Sequence, residues 1–360
     1  MLTTGHQYVR SIITVAPTLL FLFTTACSRP QQQVATVPQT DTCEVDADGT
    51  AHITRVVPVP QTISPEAQKF ISRPVPSGPP PTLAERRAAT DKFRTARAEE
   101  ARKLYPVQIH EETMGGVRCD VITPLTIPAN KRDRVLINVH GGGFNSDSGS
   151  LVEGVPIAYL TGTTVVSVYY RLAPEHPFPA AVDDTEAVFK ELLKTHKPAK
   201  IGLFGTSAGA ILTAEVAVRL RKDALPLPAV LGVFSGTGDL SRPGDSRALY
   251  TVQGFGGRLQ PPTRDLHNSE YVGATDPRDP VLSPIFADLK GFPPTLLVSS
   301  TRDLLLSGTA DLHRALLRAG VDAQLVVFDA LPHAFWYNYD LPETKEALDI
   351  MARFVDGKLR

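Results

Sequence analysis

The sequence predicts an α/β fold, in which a mostly parallel sheet carries helices on both faces. Six short runs in the C-terminal part of the chain are rich in β-branched residues and almost continuously apolar, as buried parallel strands are. Helical patterns separate these runs, and strands that alternate with helices pair in parallel. The predicted strands are residues 135–140, 163–170, 201–205, 229–234, 295–300 and 323–328.

The rest of the chain completes the predicted element order. An opening antiparallel pair, residues 107–110 and 117–123, turns at Gly115 and Gly116 and brings the sheet to eight strands. The stretch 236–290 is rich in Gly, Pro and Arg and breaks the alternation, so it could form an inserted part of a lid. The predicted helices are residues 83–104, 151–161, 180–195, 208–220, 307–319 and 343–357.

Residues 1–26 have the pattern of a signal peptide. Arg10 supplies a positive charge, residues 11–23 are apolar apart from one proline, and small residues follow. Together with Cys27, the segment resembles a bacterial lipoprotein signal, although Thr24 stands where Leu or Val is usual. The resemblance implies a lipid anchor on Cys27 and a membrane-attached protein that faces the periplasm or the cell exterior. Ordinary secretion and an uncleaved anchor are the alternatives.

Residues 27–82 are predicted to be a tether followed by an irregular segment, because they are rich in Pro and Gln. In an exported protein, Cys43 and Cys119 meet an oxidising compartment and could form a disulfide. Two free thiols are the alternative.

The charge balance argues against a nucleic-acid partner. The chain has 37 Lys plus Arg residues and 38 Asp plus Glu residues, so there is no basic excess to neutralise a phosphate backbone. A small molecule is the expected partner, and the sequence leaves the oligomeric state open.

Ser207 is the first candidate for a catalytic residue. It stands in "GTSAGA", between the predicted strand 201–205 and the predicted helix 208–220. Small neighbours allow a sharp strand-to-helix turn that exposes the hydroxyl, as in a nucleophile elbow. The alternative is a serine that only caps the helix, so the choice depends on the other residues.

A serine hydroxyl needs a base to accept its proton and an acid to orient that base. Asp303 follows the predicted strand 295–300, and His333 follows the predicted strand 323–328. Both therefore lie beyond the carboxyl ends of parallel strands, where open α/β sheets place functional groups. Asp329 is close to His333 in the chain and is expected to shape the turn instead.

A glycine turn completes the candidate site. "HGGGF" directly follows the strand 135–140, and backbone N–H groups in such a turn can donate to the oxyanion formed from an ester carbonyl. Gly141, Gly142 and Ala208 are the predicted donors. A merely flexible loop and a phosphate cradle are the alternatives, but the Lys-Ser/Thr ending of a phosphate-binding loop is missing.

With these motifs in place, the sequence resembles the hormone-sensitive-lipase family of bacterial esterases, within the α/β-hydrolase superfamily. The similarity spans about residues 105–357 and includes "HGGGF", "YRLAPEHPFPAAVDD", "GTSAGA", "SSTRDLLLS" and "LPHAF". The resemblance implies hydrolysis of short to medium acyl esters without a cofactor or metal. It also implies an N-terminal cap over the acyl site, formed near residues 83–105 with 236–290 as a further candidate.

The elbow departs from the family pattern at two positions. The family commonly has Asp where Thr206 stands and Gly where Ala210 stands. Thr206 removes a negative charge beside the nucleophile, but neither change deletes a catalytic role. In the loop 170–184, Arg171 and Glu175 could pair, which would give them a structural role.

The sequence therefore predicts a serine carboxylesterase in which His333 accepts the Ser207 proton and Asp303 orients the imidazole. Some relatives with a similar "TRDLLLS" segment are lactone hydrolases, so lactone opening by the same triad is the alternative. A non-catalytic ligand-binding protein on the same fold is a lesser alternative.

Overall fold

The computed structural model describes residues 41–74, 79–242, 244–259 and 269–359. The chain divides into two compact units, Met1–Pro58 and Val59–Arg360. The proposed signal peptide and Cys27 lie outside the described residues, so the lipid anchor stays a prediction. Within the described ranges, no helix is both long and apolar enough to cross a bilayer.

The first unit contains a β-hairpin where the sequence predicted an irregular segment. Strand β1 (Thr42–Val45) pairs antiparallel with strand β2 (Ala51–Thr54). Gly49, with φ +88°, lies in the connecting turn and adopts a conformation that other residues disfavour. The prediction for 27–82 is wrong here, because a local turn suffices to pair two short strands.

The second unit opens with a helix that was also predicted as irregular, namely α1 (Pro65–Ile71). Pro65 occupies the first helical position, where its missing N–H has no helical partner to lose. The Ser64 hydroxyl oxygen caps the helix by accepting the Ala67 N–H at 3.1 Å. The Ser64 N–H also donates to the Glu343 carboxylate at 2.6 Å, which fixes the segment to the C-terminal helix.

An eight-stranded sheet forms the centre of the second unit. Its strands are β3 (Val107–Met114), β4 (Val117–Pro124), β5 (Val135–Val139), β6 (Thr164–Val168), β7 (Ile201–Thr206), β8 (Val230–Phe234), β9 (Thr295–Arg302) and β10 (Ala323–Pro332). Their order is β10–β9–β8–β7–β5–β6–β4–β3. Neighbours from β10 to β6 are parallel, whereas β4 is antiparallel to β6 and β3 to β4. The predicted sheet and its antiparallel opening pair are confirmed.

The predicted helices are present with boundaries that differ by at most a few residues. They are α2 (Leu83–Leu104), α3 (Ser150–Thr161), α4 (Ala180–Leu192), α5 (Ala208–Lys222), α8 (Leu306–Arg318) and α9 (Pro342–Lys358). The described part of 236–290 is largely irregular, as predicted. It contains the short helices α6 (Asp245–Leu249) and α7 (Ser269–Val272).

The apolar core lies on both faces of the sheet. Alternate residues of a strand point to opposite faces, and β5 shows this: Ile137 belongs to one core cluster and Leu136 to the other. The first cluster includes Leu212 of α5, and the second includes Val155 of α3 and Met351 of α9. Helices therefore cover both faces, which explains why the central strands are apolar along their whole length.

Both described cysteines are free thiols, so the disulfide considered for Cys43 and Cys119 is not formed. Cys43 is exposed on β1. Cys119 is completely buried on β4 within the apolar core, and this burial raises the pKa of its thiol to about 12. A thiol enclosed in this way packs as a small apolar residue and is not available to an exposed partner.

Candidate active site

Ser207 lies at a strained turn between β7 and α5. Its backbone has φ +61° and ψ −120°, a conformation that non-glycine residues rarely adopt. Its side chain makes no capping hydrogen bond to the helix. The helix-cap interpretation of this serine is therefore wrong, because the hydroxyl points away from the helix amides.

The two glycines around Ser207 are required by close packing. A Cβ atom on Gly205 would lie 2.2 Å from the carbonyl oxygen of Val139, and one on Gly209 would lie 1.9 Å from the same oxygen. Neither distance is compatible with a side chain. The end of β5 therefore presses directly on the elbow, which brings the "HGGGF" loop beside Ser207.

The structure brings Ser207, His333 and Asp303 into one hydrogen-bonded chain. Nε2 of His333 lies 2.8 Å from Oγ of Ser207. Nδ1 of His333 lies 2.8 Å from Oδ1 of Asp303. An ionised carboxylate can only accept hydrogen bonds, so Nδ1 carries the proton and Nε2 is free to accept one from the serine hydroxyl.

Asp303 is completely buried and held as an anion. Burial by itself would raise its pKa, but the His333 charge and hydrogen bonds from His333, Ser235 and the Leu305 N–H lower the pKa below its ordinary value. The Ser299 hydroxyl also donates to Oδ2, at 2.9 Å. The carboxylate therefore has fixed partners on both oxygens and can hold the imidazole in one orientation.

The glycine turn lies against the nucleophile. A Cβ atom on Gly141 would lie 3.3 Å from Cβ of Ser207 and 2.9 Å from the Thr206 carbonyl oxygen. Gly142 has φ +118°, and a Cβ atom there would lie 2.1 Å from the Ser146 carbonyl oxygen. Both positions thus require glycine, and the turn approaches Ser207 as a site for an oxyanion would demand.

Buried groups hold the glycine turn in place. The His140 ring is 1% exposed and stacks on Tyr170, with ring centroids 4.1 Å apart. The Tyr170 hydroxyl donates to the His140 carbonyl oxygen at 2.6 Å. Asp147 accepts the backbone N–H groups of Gly149 and Ser150 at 3.1 and 3.0 Å and so closes the loop. These buried contacts therefore hold the backbone of the glycine turn and of the loop that follows it.

Helix α2 is tied to this loop through Arg87. Its guanidinium donates to the carbonyl oxygens of Asn145 and Ala173 at 2.7 and 2.9 Å and to both oxygens of Glu175 at 2.7 Å. The expected pairing of Arg171 with Glu175 is wrong. Arg171 pairs with Asp184 of α4 at 2.8 Å instead, because the Glu175 carboxylate is already paired with Arg87.

A buried carboxyl group, Glu153 of α3, lies between β5 and the helical turn that follows His333, where it accepts hydrogen bonds from Asn138 and Tyr337. It is 4% exposed, and burial raises its pKa to about 8 despite these hydrogen bonds. The sequence gives only a weak signal for this residue, because one Glu in an apolar helix resembles a surface position. Ser235 and Ser299 were also missed, although both lie near carboxyl ends of strands, where functional groups gather.

The acidic groups of the site have separate partners. Asp303 contacts His333, Asp147 contacts Ser150, and Glu153 contacts Tyr337. In the described part of the chain, no group of three His, Cys, Asp or Glu side chains is arranged to hold a metal ion. Hydrolysis without a cofactor stays a prediction from the family resemblance.

The fold and the position of the site are those of an α/β hydrolase. A family model for the alpha/beta hydrolase fold matches residues 136–337, which is more than half of the chain. An acetyl-hydrolase of Streptomyces hygroscopicus is 33% identical over 237 residues, covering 63% of this chain and 77% of that protein. An esterase of Acinetobacter venetianus is 30% identical over 263 residues, covering 70% and 84%.

Solved structures agree with these relatives. Esterase E25 aligns with a TM-score of 0.73 at 32% identity, covering 85% of this chain and 98% of its own. An esterase from the bacterial hormone-sensitive-lipase family aligns with a TM-score of 0.67 at 30% identity, covering 82% and 99%. EstE5, soaked with p-nitrophenyl butyrate, aligns with a TM-score of 0.71 at 28% identity, covering 82% and 99%.

The chain belongs to the α/β-hydrolase family, and its structural neighbours are esterases of the bacterial hormone-sensitive-lipase family, as the sequence motifs predicted. It is a carboxylic-ester hydrolase.

Proposed function

We propose that this esterase cleaves short to medium acyl esters through an acyl-enzyme intermediate on Ser207. His333 takes the Ser207 proton while Oγ attacks the ester carbonyl, and the resulting imidazolium then protonates the departing alkoxide. Water, deprotonated by His333, attacks the acyl-serine and releases the carboxylic acid with return of the proton to Ser207. Asp303 holds the imidazole tautomer and stabilises its cation.

In this mechanism the oxyanion is stabilised by the backbone N–H groups of Gly141, Gly142 and Ala208. The close approach of Gly141 to Ser207 supports this role. Fixed donors are effective because they need no reorganisation as charge develops, and one such donor contributes about 3 kcal/mol in a well-studied protease.

A single observation carries the proposal: the unbroken chain of 2.8 Å contacts from Ser207 through His333 to a buried Asp303. The test is Ser207→Ala assayed on p-nitrophenyl butyrate, with Ser72→Ala, a serine at the end of α1, as the matched control. We expect Ser207→Ala to lose nearly all turnover and all labelling by a fluorophosphonate probe, and Ser72→Ala to retain both. Wild-type turnover in Ser207→Ala would refute the proposal.

The relative named as an acetyl-hydrolase and the neighbour soaked with p-nitrophenyl butyrate support a short acyl group. A panel of p-nitrophenyl acetate, butyrate, octanoate and palmitate tests this, and we expect kcat/KM to be highest for acetate or butyrate. Cyclic esters belong in the same panel, because a higher kcat/KM for lactones would assign the site to lactone opening.

We also propose that α2 forms part of a cap over the acyl site. Arg87 supports this because it joins α2 to the loop that follows the glycine turn. Deleting the cap would widen the access to Ser207, so the acyl-chain preference should broaden while the reactivity of short esters falls. An unchanged chain-length profile after deletion of residues 83–105 from a folded variant would contradict this role.

The N-terminal pattern supports a further proposal, that the chain is exported and anchored through a lipid on Cys27. Mass spectrometry of membrane-extracted protein should find an acylated N-terminus at Cys27, and Cys27→Ala should remove the acyl mass. A soluble mature form that begins at Cys27 without lipid would refute the anchor.

A further inference from the structure

The short helix α7, within the 236–290 segment, carries a buried tyrosine that packs on the glycine turn. Tyr271 is 1% exposed, and its ring is parallel to the ring of Phe144, with the two centroids 3.4 Å apart. Phe144 ends the "HGGGF" sequence and follows the proposed oxyanion donors Gly141 and Gly142 closely in the chain. The stacked rings therefore join the 236–290 segment to the glycine turn.

Hydrogen bonds at both ends of Tyr271 fix the position of its ring. The hydroxyl donates to Oε2 of Glu215 at 2.6 Å, and the backbone carbonyl oxygen accepts the Phe178 N–H at 2.7 Å. Two parallel rings could otherwise slide past each other, because aromatic pairs prefer offset or edge-to-face arrangements. The position of Tyr271 on Phe144 is therefore determined by these two hydrogen bonds as well as by the rings.

The partner of the tyrosine hydroxyl belongs to the helix that follows the nucleophile. Glu215 is completely buried on α5, about two helical turns after Ser207. Burial raises the pKa of the Glu215 carboxyl well above its ordinary value, which favours the neutral form of the group. Tyr271 thus contacts the nucleophile helix with its hydroxyl and the glycine turn with its ring.

The end of the glycine turn has a backbone conformation that needs support from its surroundings. Phe144 has φ +62°, in the left-handed region that bulky residues rarely adopt. Its carbonyl oxygen accepts the Ala173 N–H at 2.8 Å. The next side chain, Asn145, donates from Nδ2 to the Glu270 carboxylate at 2.8 Å, which is a second link between this loop and α7. The ring contact with Tyr271 completes these constraints.

We propose that Tyr271 is a positioning residue that fixes the glycine turn relative to the helix of the nucleophile. Its ring holds Phe144, and its hydroxyl holds Glu215. Oxyanion donors are effective only where they face the developing charge, so the turn must keep a fixed distance from Ser207 during the reaction. The inference rests on the proposed roles of Ser207 as the nucleophile and of the turn as the oxyanion site. Tyr271 acts through its neighbours.

The double variant Tyr271→Phe/Glu215→Leu removes the hydrogen bond together with both of its polar groups, so that neither group stays buried without a partner. We expect kcat on p-nitrophenyl butyrate to fall about tenfold with KM within about twofold, because a small displacement of the oxyanion donors slows the reaction more than it weakens binding. Glu215→Gln keeps an acceptor for the Tyr271 hydroxyl and should retain kcat within about threefold of the wild type.

These rates are expressed per competent active site, counted from the end point of Ser207 labelling by a fluorophosphonate probe. A role in folding alone would lower the number of sites but leave the rate of each site unchanged. Tyr169→Phe is the matched control, because it removes a tyrosine–carboxylate hydrogen bond of the same length, 2.6 Å, to Asp120 of β4. This control should keep the wild-type kcat. Where the double variant does not fold, the comparison of Tyr271→Phe with Glu215→Gln decides the question, because only Tyr271→Phe removes the hydrogen bond.

Inhibition by an aryl trifluoromethyl ketone tests the oxyanion site directly. Oγ of Ser207 bonds to the ketone carbon, the carbonyl electron pair moves onto the oxygen, and the serine proton passes to His333. The adduct therefore carries the negative charge that the turn would stabilise. We expect the inhibition constant to rise about tenfold in the double variant, in proportion to the loss of kcat. The corresponding alcohol has no carbonyl group to attack and should bind the wild type and the variant equally.

The ketone also separates this inference from the proposed function. If Ser207→Ala is inhibited as strongly as the wild type, the proposed nucleophile is wrong. If the wild type forms the Ser207 adduct, but the double variant keeps at least half of the wild-type kcat and an unchanged inhibition constant, only the positioning role of Tyr271 is refuted. Equal losses of kcat in the double variant and in Tyr169→Phe would also refute that role.

Discussion

Replacing Asp303 by Asn gives the sharpest test of the catalytic geometry. Oδ1 of Asp303 accepts from His333 Nδ1 at 2.8 Å and from the Leu305 N–H at 2.9 Å. Oδ2 accepts from the hydroxyls of Ser299, at 2.9 Å, and Ser235. An amide has only one oxygen, so one of these two pairs of donors must face the new NH₂ group in Asp303→Asn.

The structure indicates which pair that is. The hydroxyls of Ser235 and Ser299 can rotate and become acceptors, whereas the Leu305 N–H can only donate. The amide oxygen should therefore remain toward His333 and Leu305. The imidazole then keeps the tautomer that leaves Nε2 free for the Ser207 proton, and the variant loses chiefly the negative charge beside the imidazolium.

The size of the effect follows from that lost charge. Two unit charges about 4 Å apart attract by about 4 kcal/mol at an effective dielectric constant of about 20. A barrier that rises by this amount slows the reaction by about a thousandfold. An amide in the opposite orientation would stabilise the wrong tautomer, for which the corresponding protease variant loses about ten thousandfold.

The assay is kcat on p-nitrophenyl butyrate under saturating substrate, with the folded fraction measured by circular dichroism. Asp329→Asn is the matched control. Asp329 lies shortly before His333 in the chain, but its carboxylate accepts a hydrogen bond from the Thr301 hydroxyl, at 3.0 Å. We expect the control to stay within about threefold of the wild-type rate. A decrease in kcat of less than tenfold in Asp303→Asn would overturn the assignment of the acid. A decrease in kcat that is larger in Asp329→Asn than in Asp303→Asn would also overturn it.

Three further predictions concern packing, pH and the α2 contact. Gly209→Ala would bring Cβ to 1.9 Å from the Val139 carbonyl oxygen and should lower the unfolding free energy by about 3 kcal/mol or more, as measured by urea unfolding. Gly357→Ala is the control, because Gly357 has open space around it, and this variant should not be destabilised. Burial raises the pKa of Glu153 to about 8 from 4.5, so between these pH values the folded state keeps a proton that the unfolded chain releases. The stability of the wild type should therefore fall relative to Glu153→Gln as pH rises through this range in urea titrations, and parallel curves would contradict the prediction. Arg87→Leu removes hydrogen bonds to two carbonyl oxygens. This loss should lower the unfolding free energy by about 1–2 kcal/mol and the melting temperature by a few degrees in calorimetry. An unchanged melting temperature would show that α2 packs in place without Arg87.

Much of the site was predictable because its residues follow strands. Strands β7, β9 and β10 have a clear apolar pattern, and parallel strands end at one edge of the sheet. The sequence alone therefore places Ser207, Asp303 and His333 at the same edge of the sheet. The prediction that residues 65–71 are irregular was wrong, because a helix can begin with proline at its first position.

The supporting residues were less accessible to sequence reasoning. Glu153, Ser235 and Ser299 are separated in the chain, and nothing in their local sequence tells a buried polar partner from a solvated one. Arg87 contacts Glu175 across 88 positions of the chain, and local reasoning had assigned that glutamate to Arg171. Such contacts depend on how helices pack, which local patterns do not specify.

The sequence by itself determined the order of strands and helices, the esterase motifs and the identity of the residues at the sheet edge, because hydrophobic period and turn chemistry are local properties. The tertiary structure decided which side chains surround those residues: the serines around Asp303, the Arg87 contact of α2 and the buried Glu153 that accepts hydrogen bonds from Asn138 and Tyr337. Burial and long-range proximity exist only after the chain has packed, and they determine whether a polar side chain is solvated, charged or hydrogen-bonded.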